Sequence, residues 1–224
     1  MKEVERSHSQ SKVTAQHQKQ VIKAIVVDLG GVLFAEGSAE AADVLCRRYG
    51  YDKNVALGVF RSPESIALRK GLISDEEFWA WAQSSLPERY DARAIQQAWY
   101  DGYMLDEDVL ELIRQLKSRY TLLVFSGNIK SRVDYLDAKY DFRKYFDQEV
   151  YSFDHGLNKP DKAFVDVMLE KVGCRPDEIV YIDDQISATA PAEALGVKTI
   201  IYRRGEIRKL RASLSRLGVE LRSH

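Results

Sequence analysis

Short apolar runs separated by helical periods set the pattern of the chain from Val21 onward. Val21-Ile22-Lys23-Ala24-Ile25-Val26-Val27-Asp28 is β-branched and almost continuously apolar. That pattern predicts a strand covered on both faces, as in a parallel sheet. Three similar runs, Tyr120 to Phe125, Ile179 to Ile182 and Val197 to Tyr202, predict three more strands. Between them, Asp106-Glu107-Asp108 opens a helix with Val109, Leu112, Ile113 and Leu116 on one face and Lys117 and Arg119 near its end. Acids first and bases last suit the helix dipole. A second helix is predicted from Pro160, a residue tolerated at the first helical position, through Phe164, Val165, Met168, Leu169 and Val172 to Gly173. Strands alternating with helices of this length predict an α/β fold with a doubly wound, mainly parallel, Rossmann-like sheet.

The stretch from Glu36 to Tyr103 shows helix signals and no convincing strand. Ser74-Asp75-Glu76-Glu77 reads as a capping box, followed by Phe78, Trp79, Trp81 and Ala82 in a helical period. This aromatic stripe is read as packing rather than as a ligand platform. A helical insertion after the first strand would hang over the carboxyl edge of the sheet, where open α/β folds hold their ligands. The organisation predicted is a loose polar tail over 1–20, an α/β core over 21–35 and 104–224, and a helical cap over 36–103. His8 and His17 fall in the tail and receive no metal role.

Composition narrows the function classes. The chain has 224 residues, enough for one substantial domain or a core with an insertion. Lys plus Arg number 33 against 34 Asp plus Glu, a net charge of −1, with a pI near 6.5. A dedicated nucleic-acid binder would show a basic excess, so no nucleic-acid partner is expected. No apolar run approaches the roughly 18–20 residues that cross a bilayer, so no membrane partner is expected either. Cys46 and Cys174 are isolated, forming neither a zinc spacing nor a disulfide framework, and are read as buried structural thiols. With no apolar leader at the N-terminus, a cytoplasmic setting is the simplest expectation.

Three strand ends and one helix start can carry chemistry. Asp28 ends the first strand ahead of Leu29-Gly30-Gly31, where glycine lets backbone N–H groups approach an anion. Alternatively, Asp28 only shapes that turn. Ser126 ends the second strand before Gly127 and Asn128; its hydroxyl could bind a phosphoryl oxygen, although Ser, Gly and Asn are also ordinary turn residues. Asp183 and Asp184 end the Ile179 run. Two adjacent acids near an interior are costly unless paired, and Mg²⁺ takes carboxylate oxygens readily; a solvated acid pair is the alternative. Lys159 precedes the Pro160 helix, where the dipole gives a cation no help, and an anion shared with that helix N-terminus would rationalise its place.

Taken together, these four ordered features resemble the motifs of the haloacid dehalogenase-like (HAD) hydrolases. The resemblance covers about Val21 to Tyr202, including the helical cap after the first motif. Asp28-Leu29-Gly30-Gly31-Val32-Leu33, Gly71-Leu72-Ile73-Ser74 with Phe78, Asn158-Lys159-Pro160-Asp161 and Ile182-Asp183-Asp184 are similar to the branch holding sugar-phosphate phosphatases and the N-terminal phosphatase domain of soluble epoxide hydrolases. The resemblance implies that Asp28 is a nucleophile forming an aspartyl-phosphate. It further implies that Ser126, with Gly127 and Asn128, binds phosphoryl oxygens and that Lys159 neutralises phosphate and nucleophile. Asp28, the Gly30 carbonyl, Asp183 and Asp184 would hold Mg²⁺. The implied partner is a small phosphorylated metabolite, for example a sugar phosphate, and the implied assembly is a monomer or homodimer.

The chain departs from the family pattern at three points. Gly30 stands where most family phosphatases carry a second Asp as general acid and base. Ala188 stands where Asn or Asp usually follows the fourth motif, and Gly127 follows the motif-two Ser where Asn is common. Losing a general acid and base costs about 10²–10⁴ in rate. Two other readings therefore stand beside a phosphatase: a catalytically weakened ligand- or partner-binding relative, and a 2-haloacid dehalogenase. Gly30 and the lack of an Arg between Ala35 and Cys46 count against the dehalogenase. Arg61, Arg69 and Lys70 are candidate anion contacts in the cap or, alternatively, solvated surface cations.

Overall fold

In a computed structural model that describes residues 21–221, five parallel strands form one sheet. They are β1 (Ala24–Val27), β2 (Thr121–Ser126), β3 (Gln148–Tyr151), β4 (Ile179–Asp183) and β5 (Lys198–Ile201), ordered β3-β2-β1-β4-β5. The tail expected over 1–20, with His8 and His17, lies outside the described residues. Four strands coincide with the predicted runs. The fifth, β3, has only Val150 and Tyr151 buried and pairs on one side alone, with β2, so its Gln-Glu-Val-Tyr sequence carries little of a strand signal.

Period-two alternation sends neighbouring residues of each strand to opposite faces. Ile25 and Val27 join a cluster with Val124 and Ile182 that packs on α6 (Glu107–Leu116), α7 (Lys130–Tyr140) and α11 (Ile207–Arg216). Ala24 and Val26 join Leu123, Phe125 and Tyr181 against α9 (Lys162–Val172) and α10 (Ile186–Glu193). Because both faces are covered, the central strands read as continuous apolar runs. Asp106 caps α6, accepting from the Val109 amide at 3.2 Å and from the Tyr202 hydroxyl at 3.0 Å.

Five helices and no strand lie between β1 and α6: α1 (Gly37–Tyr49), α2 (Lys53–Phe60), α3 (Pro63–Arg69), α4 (Asp75–Ser85) and α5 (Ala92–Asp101). The capping box of α4 forms, with the Glu77 amide donating to Ser74 Oγ at 3.2 Å and the Ser74 amide donating to Glu77 Oε2 at 2.7 Å. Phe78 is fully buried, Trp79 and Trp81 pack around it, and Trp99 stacks on Phe60 at 4.5 Å. Entry and exit of this segment run side by side. The Ala35 amide donates to the Met104 carbonyl at 2.8 Å, and a Cβ on Gly102 would lie 2.5 Å from the Gly37 carbonyl oxygen.

Two local expectations need correction. α9 begins at Lys162 rather than Pro160, because the Asp161 carboxylate caps it by accepting from the Ala163 amide at 2.9 Å. Pro160 stands ahead of the helix, after a cis peptide bond with Lys159. Cys46 and Cys174 are half-buried rather than buried. Cys46 flanks the buried face of α1, next to exposed Arg47, and Cys174 follows the Gly173 cap of α9. No helix among the described residues is long and apolar enough to cross a membrane. One further short helix, α8 (Ser152–His155), follows β3 directly.

Candidate active site

The register of the central strands decides what meets at the carboxyl edge. Val27 pairs with Val124 of β2 and with Ile182 of β4, so Asp28, Ser126 and Asp183 emerge together just past the paired residues. All three are buried. Backbone bonding holds Asp28 in line, its amide donating to the Ile182 carbonyl at 3.0 Å, while the Leu29 amide donates to its Oδ1 at 2.8 Å. Lys159 reaches the same point from the loop before α9. Its Nζ lies 2.9 Å from Asp28 Oδ2 and 2.7 Å from Asp183 Oδ2. The Tyr181 hydroxyl also donates to Asp183 Oδ2, and the Gln185 amide to Asp183 Oδ1 at 2.8 Å.

Lys159, by its sequence position, was a candidate to share an anion with the helix N-terminus. Its side chain turns to the two carboxylates instead, and the capping of α9 falls to Asp161.

One ammonium between two buried acids leaves negative charge over. Burial raises the Asp28 carboxyl above its ordinary pKa, against the pull of Lys159 and Ser126 and with a push from Asp183. Lys159 is itself raised: burial opposes its charge, but Asp28 and Asp183 outweigh that. Asp184 is pushed up to about 6, by burial first and then by Asp28 and Asp183. Its Oδ1 is buried with no hydrogen-bond partner among the described residues. Carboxylate oxygens of Asp28, Asp183 and Asp184 all lie within 4.8 Å of one another. Hard oxygens, surplus negative charge and an orphaned acceptor fit a divalent cation such as Mg²⁺.

Two glycines make room for this arrangement. Gly31 has φ +82°, and a Cβ there would lie 2.3 Å from Asp184 Cγ. A Cβ on Gly127 would lie 2.2 Å from Asn158 Oδ1, so the departure from the common Asn is matched by Asn158 filling that space. Gly30 is different. Its φ is not left-handed, and a Cβ there would meet only the ring edge of Tyr103, at 3.3 Å from Cε1.

A cleft of about 150 Å³ opens over these residues. Asp28, Gly30, Ser126, Gly127, Asn128 and Lys159 line it as the motifs implied, and Ala188 lines it too. Asp183 and Asp184 do not line it; Asp183 is tied to it through Lys159. Of the three candidate cap cations, only Arg69 reaches the wall; its Nη1 donates to the Gly127 carbonyl at 3.3 Å. Glu36, Tyr103, Asn158 and Gln185 complete the lining; the sequence reading gave none of them a role, although Asn158 was quoted within the motif of Lys159. Asn158 and Gln185 flank motif residues and could have been found by proximity. Glu36 and Tyr103 border the helical segment at its two ends, a signal legible only once those ends are known to meet.

Comparison with known proteins agrees with this geometry. The chain is 39% identical over 219 residues to an uncharacterised protein of Dictyostelium discoideum, an alignment covering 84% of this chain and 94% of that one. It is 25% identical over 125 residues to rat bifunctional epoxide hydrolase 2, covering 54% of this chain but only 23% of that longer protein. A HAD family enzyme from Bacteroides thetaiotaomicron, solved as a magnesium complex, superposes with a TM-score of 0.72 at 22% identity, covering 82% of this chain and 94% of that one. The same enzyme is also solved with magnesium and inorganic phosphate. At such identity the likeness to the enzyme shows the fold alone. The haloacid dehalogenase-like hydrolase profile, however, matches residues 22–196, a span that holds every strand-end residue described above, and by that match this chain belongs to the haloacid dehalogenase-like hydrolases.

Proposed function

We propose that the protein is a Mg²⁺-dependent phosphatase of a small phosphorylated metabolite, acting through an aspartyl-phosphate on Asp28. The observation that carries this reading is the convergence of Asp28, Lys159, Asp183 and Asp184, with Ser126, at the carboxyl ends of adjacent strands. Asp28, the Gly30 carbonyl, Asp183 and Asp184 would hold Mg²⁺, which supplies charge neutralisation at the transferring phosphoryl group. Asp28 attacks phosphorus through a carboxylate oxygen, the ester oxygen leaves, and water then hydrolyses the acyl phosphate, returning the carboxylate and releasing phosphate. Lys159 holds the nucleophile in place and offsets its charge as the phosphate dianion arrives. Ser126, Gly127 and Asn128 receive the phosphoryl oxygens. A cleft of about 150 Å³ suits a small leaving group. A cytoplasmic setting, as monomer or homodimer and with neither nucleic acid nor membrane as partner, completes the reading.

A second reading, a ligand-binding relative with weak turnover, is favoured by Gly30 and Ala188, which offer no side chain for proton transfer. Hydrolysis of an aryl phosphate separates the two, because an aryl oxide leaves without protonation. Magnesium-dependent release of p-nitrophenol by the wild type, abolished in Asp28→Asn with an unchanged melting curve, is the expected result. Undiminished turnover in that variant would sink the mechanism.

A further inference from the structure

Arg132 has no role in the machinery above, yet its side chain is fully buried. It rises from α7, and its Nε donates to Asn128 Oδ1 at 2.8 Å. Nη1 and Nη2 have no hydrogen-bond partner among the described residues. The guanidinium instead lies 4.0 Å from the Tyr103 ring centroid and 4.5 Å from that of Trp99. Two aromatic faces replace part of its lost hydration. Even so, burial lowers its pKa to about 10. An apolar side chain of similar volume would avoid the cost of burying an incompletely paired charge. Such a cost calls for a local use.

Asn128 offers that use. Its Oδ1 accepts from both Arg132 Nε and the Ile129 amide, the latter at 2.9 Å. Two N–H groups can converge only on the oxygen of a carboxamide, so the flip state of Asn128 is fixed and its Nδ2 points the other way. The backbone is pinned as well: the Asn128 amide donates to Ser152 Oγ, and Ser152 Oγ donates to the Asn128 carbonyl, each at 3.1 Å. Asn128 lines the cleft beside Ser126 and Lys159, whereas Arg132 does not reach its wall.

We infer that Arg132 is a positioning residue that locks the Asn128 carboxamide with its N–H groups toward the cleft, as a donor to a phosphoryl oxygen. The inference rests on the phosphatase reading for the identity of that ligand. Because Trp99 lies on α5 and Tyr103 just beyond it, the same guanidinium ties the helical segment to the phosphate end of the cleft.

Three substitutions separate the donor from the charge. Arg132→Gln puts Nε2 at the bond position of the arginine Nε, keeping the donor and removing the charge. Arg132→Lys keeps the charge and puts a carbon there. Arg132→Met keeps comparable volume and supplies neither. On the full chain with Mg²⁺, the Kd of inorganic phosphate is measured by titration calorimetry, and kcat and KM are measured with p-nitrophenyl phosphate. In the Met and Lys variants, phosphate Kd and KM should rise together by about 10–100-fold, the worth of a hydrogen bond to a charged group. In these variants kcat should change little, because the contact serves substrate and transition state alike. Arg132→Gln should restore both constants toward wild type.

Arg132→Lys matching the wild type while Arg132→Gln falls with Arg132→Met would show that charge is what matters and overturn the inference. So would three variants indistinguishable from wild type, or a natively melting Arg132→Gln that binds phosphate no better than Arg132→Met. Should the Met variant fail to fold, the Gln and Lys pair still decides. A wild type that binds phosphate without hydrolysing the ester defeats the phosphatase reading alone, and the titrations still judge Arg132. A wild type that binds no phosphate defeats both.

Discussion

Asp in place of Gly30 asks whether a missing proton donor limits this protein. Gly30 is not in the left-handed region, unlike its neighbour Gly31, so the backbone accepts a side chain there. Its Cβ would stand 3.3 Å from Tyr103 Cε1, which requires the ring to yield by a few tenths of an ångström. Tyr103 is 3% exposed and held beneath Arg132, so that movement is resisted. The new carboxylate also joins Asp28, Asp183 and Asp184 around a single lysine. Steric and electrostatic costs together should be about 1–2 kcal/mol without metal. For a chain of this length that lowers the melting midpoint by about 2–8 °C. The kinetic effect should run the other way. A small alkyl phosphate such as glycerol 3-phosphate needs its leaving oxygen protonated, whereas p-nitrophenyl phosphate does not. Turnover of the alkyl ester should therefore rise selectively, by up to the roughly 10²–10⁴ of general acid/base catalysis. Steady-state rates on both esters, with melting curves alongside, test this. A folded Gly30→Asp protein whose two rates are unchanged, or scale equally, would refute the argument and move attention to Ala188.

Mg²⁺ at 100 times its Kd should stabilise the wild type by about 2.7 kcal/mol in scanning fluorimetry. Asp184→Asn should lose that response while melting higher without metal, since it removes one charge repelled by Asp28 and Asp183; an undiminished Mg²⁺ response would exclude Asp184 as a ligand. Lys159→Met leaves Asp28 and Asp183 buried without their cation, and urea unfolding should register a loss of about 3–5 kcal/mol. A loss below about 1 kcal/mol would mean that the pair is effectively solvated. Gly127→Ala would drive a Cβ to 2.2 Å from Asn158 Oδ1, displacing the loop beside Ser126 and cutting aryl phosphate turnover by about 10²-fold; wild-type rates would show that Asn158 can step aside.

The sheet was legible in the sequence wherever a strand is buried on both faces, because burial writes itself as an unbroken apolar run. That is why β1, β2 and β4 were visible; of the two edge strands, β5 was legible from its β-branched Thr-Ile-Ile although only Ile200 is buried, whereas β3, which opens on Gln148 and Glu149, was not. Strand-end positions of Asp28, Ser126 and Asp183 followed from the same runs. The direction of Lys159 did not, since sequence offers it both a helix start and two distant acids, and only the fold shows the acids to be within 3 Å. Arg132 gave no signal at all: in sequence it is one cation among several on a polar helix. Its burial follows from where Trp99 and Tyr103 land, which depends on the path of the whole helical segment.

The touching entry and exit of that segment have a thermodynamic consequence. Seen from the sheet, the excursion from Gly37 to Gly102 starts and finishes at one point, so its closure is a fixed constraint that hardly depends on its length. Each doubling of an excursion held at such a neck costs only about 0.6 kcal/mol in chain entropy. Excursions of quite different size could thus be grafted between Ala35 and Met104 without altering strand register. Such a graft would remove the Trp99 and Tyr103 faces against Arg132 and the Glu36, Arg69 and Tyr103 side chains of the cleft wall, while β1, β2 and β4 would still place Asp28, Ser126 and Asp183. In this chain, the side of the cleft built by the helical segment can therefore change while the side built by the strand ends stays fixed.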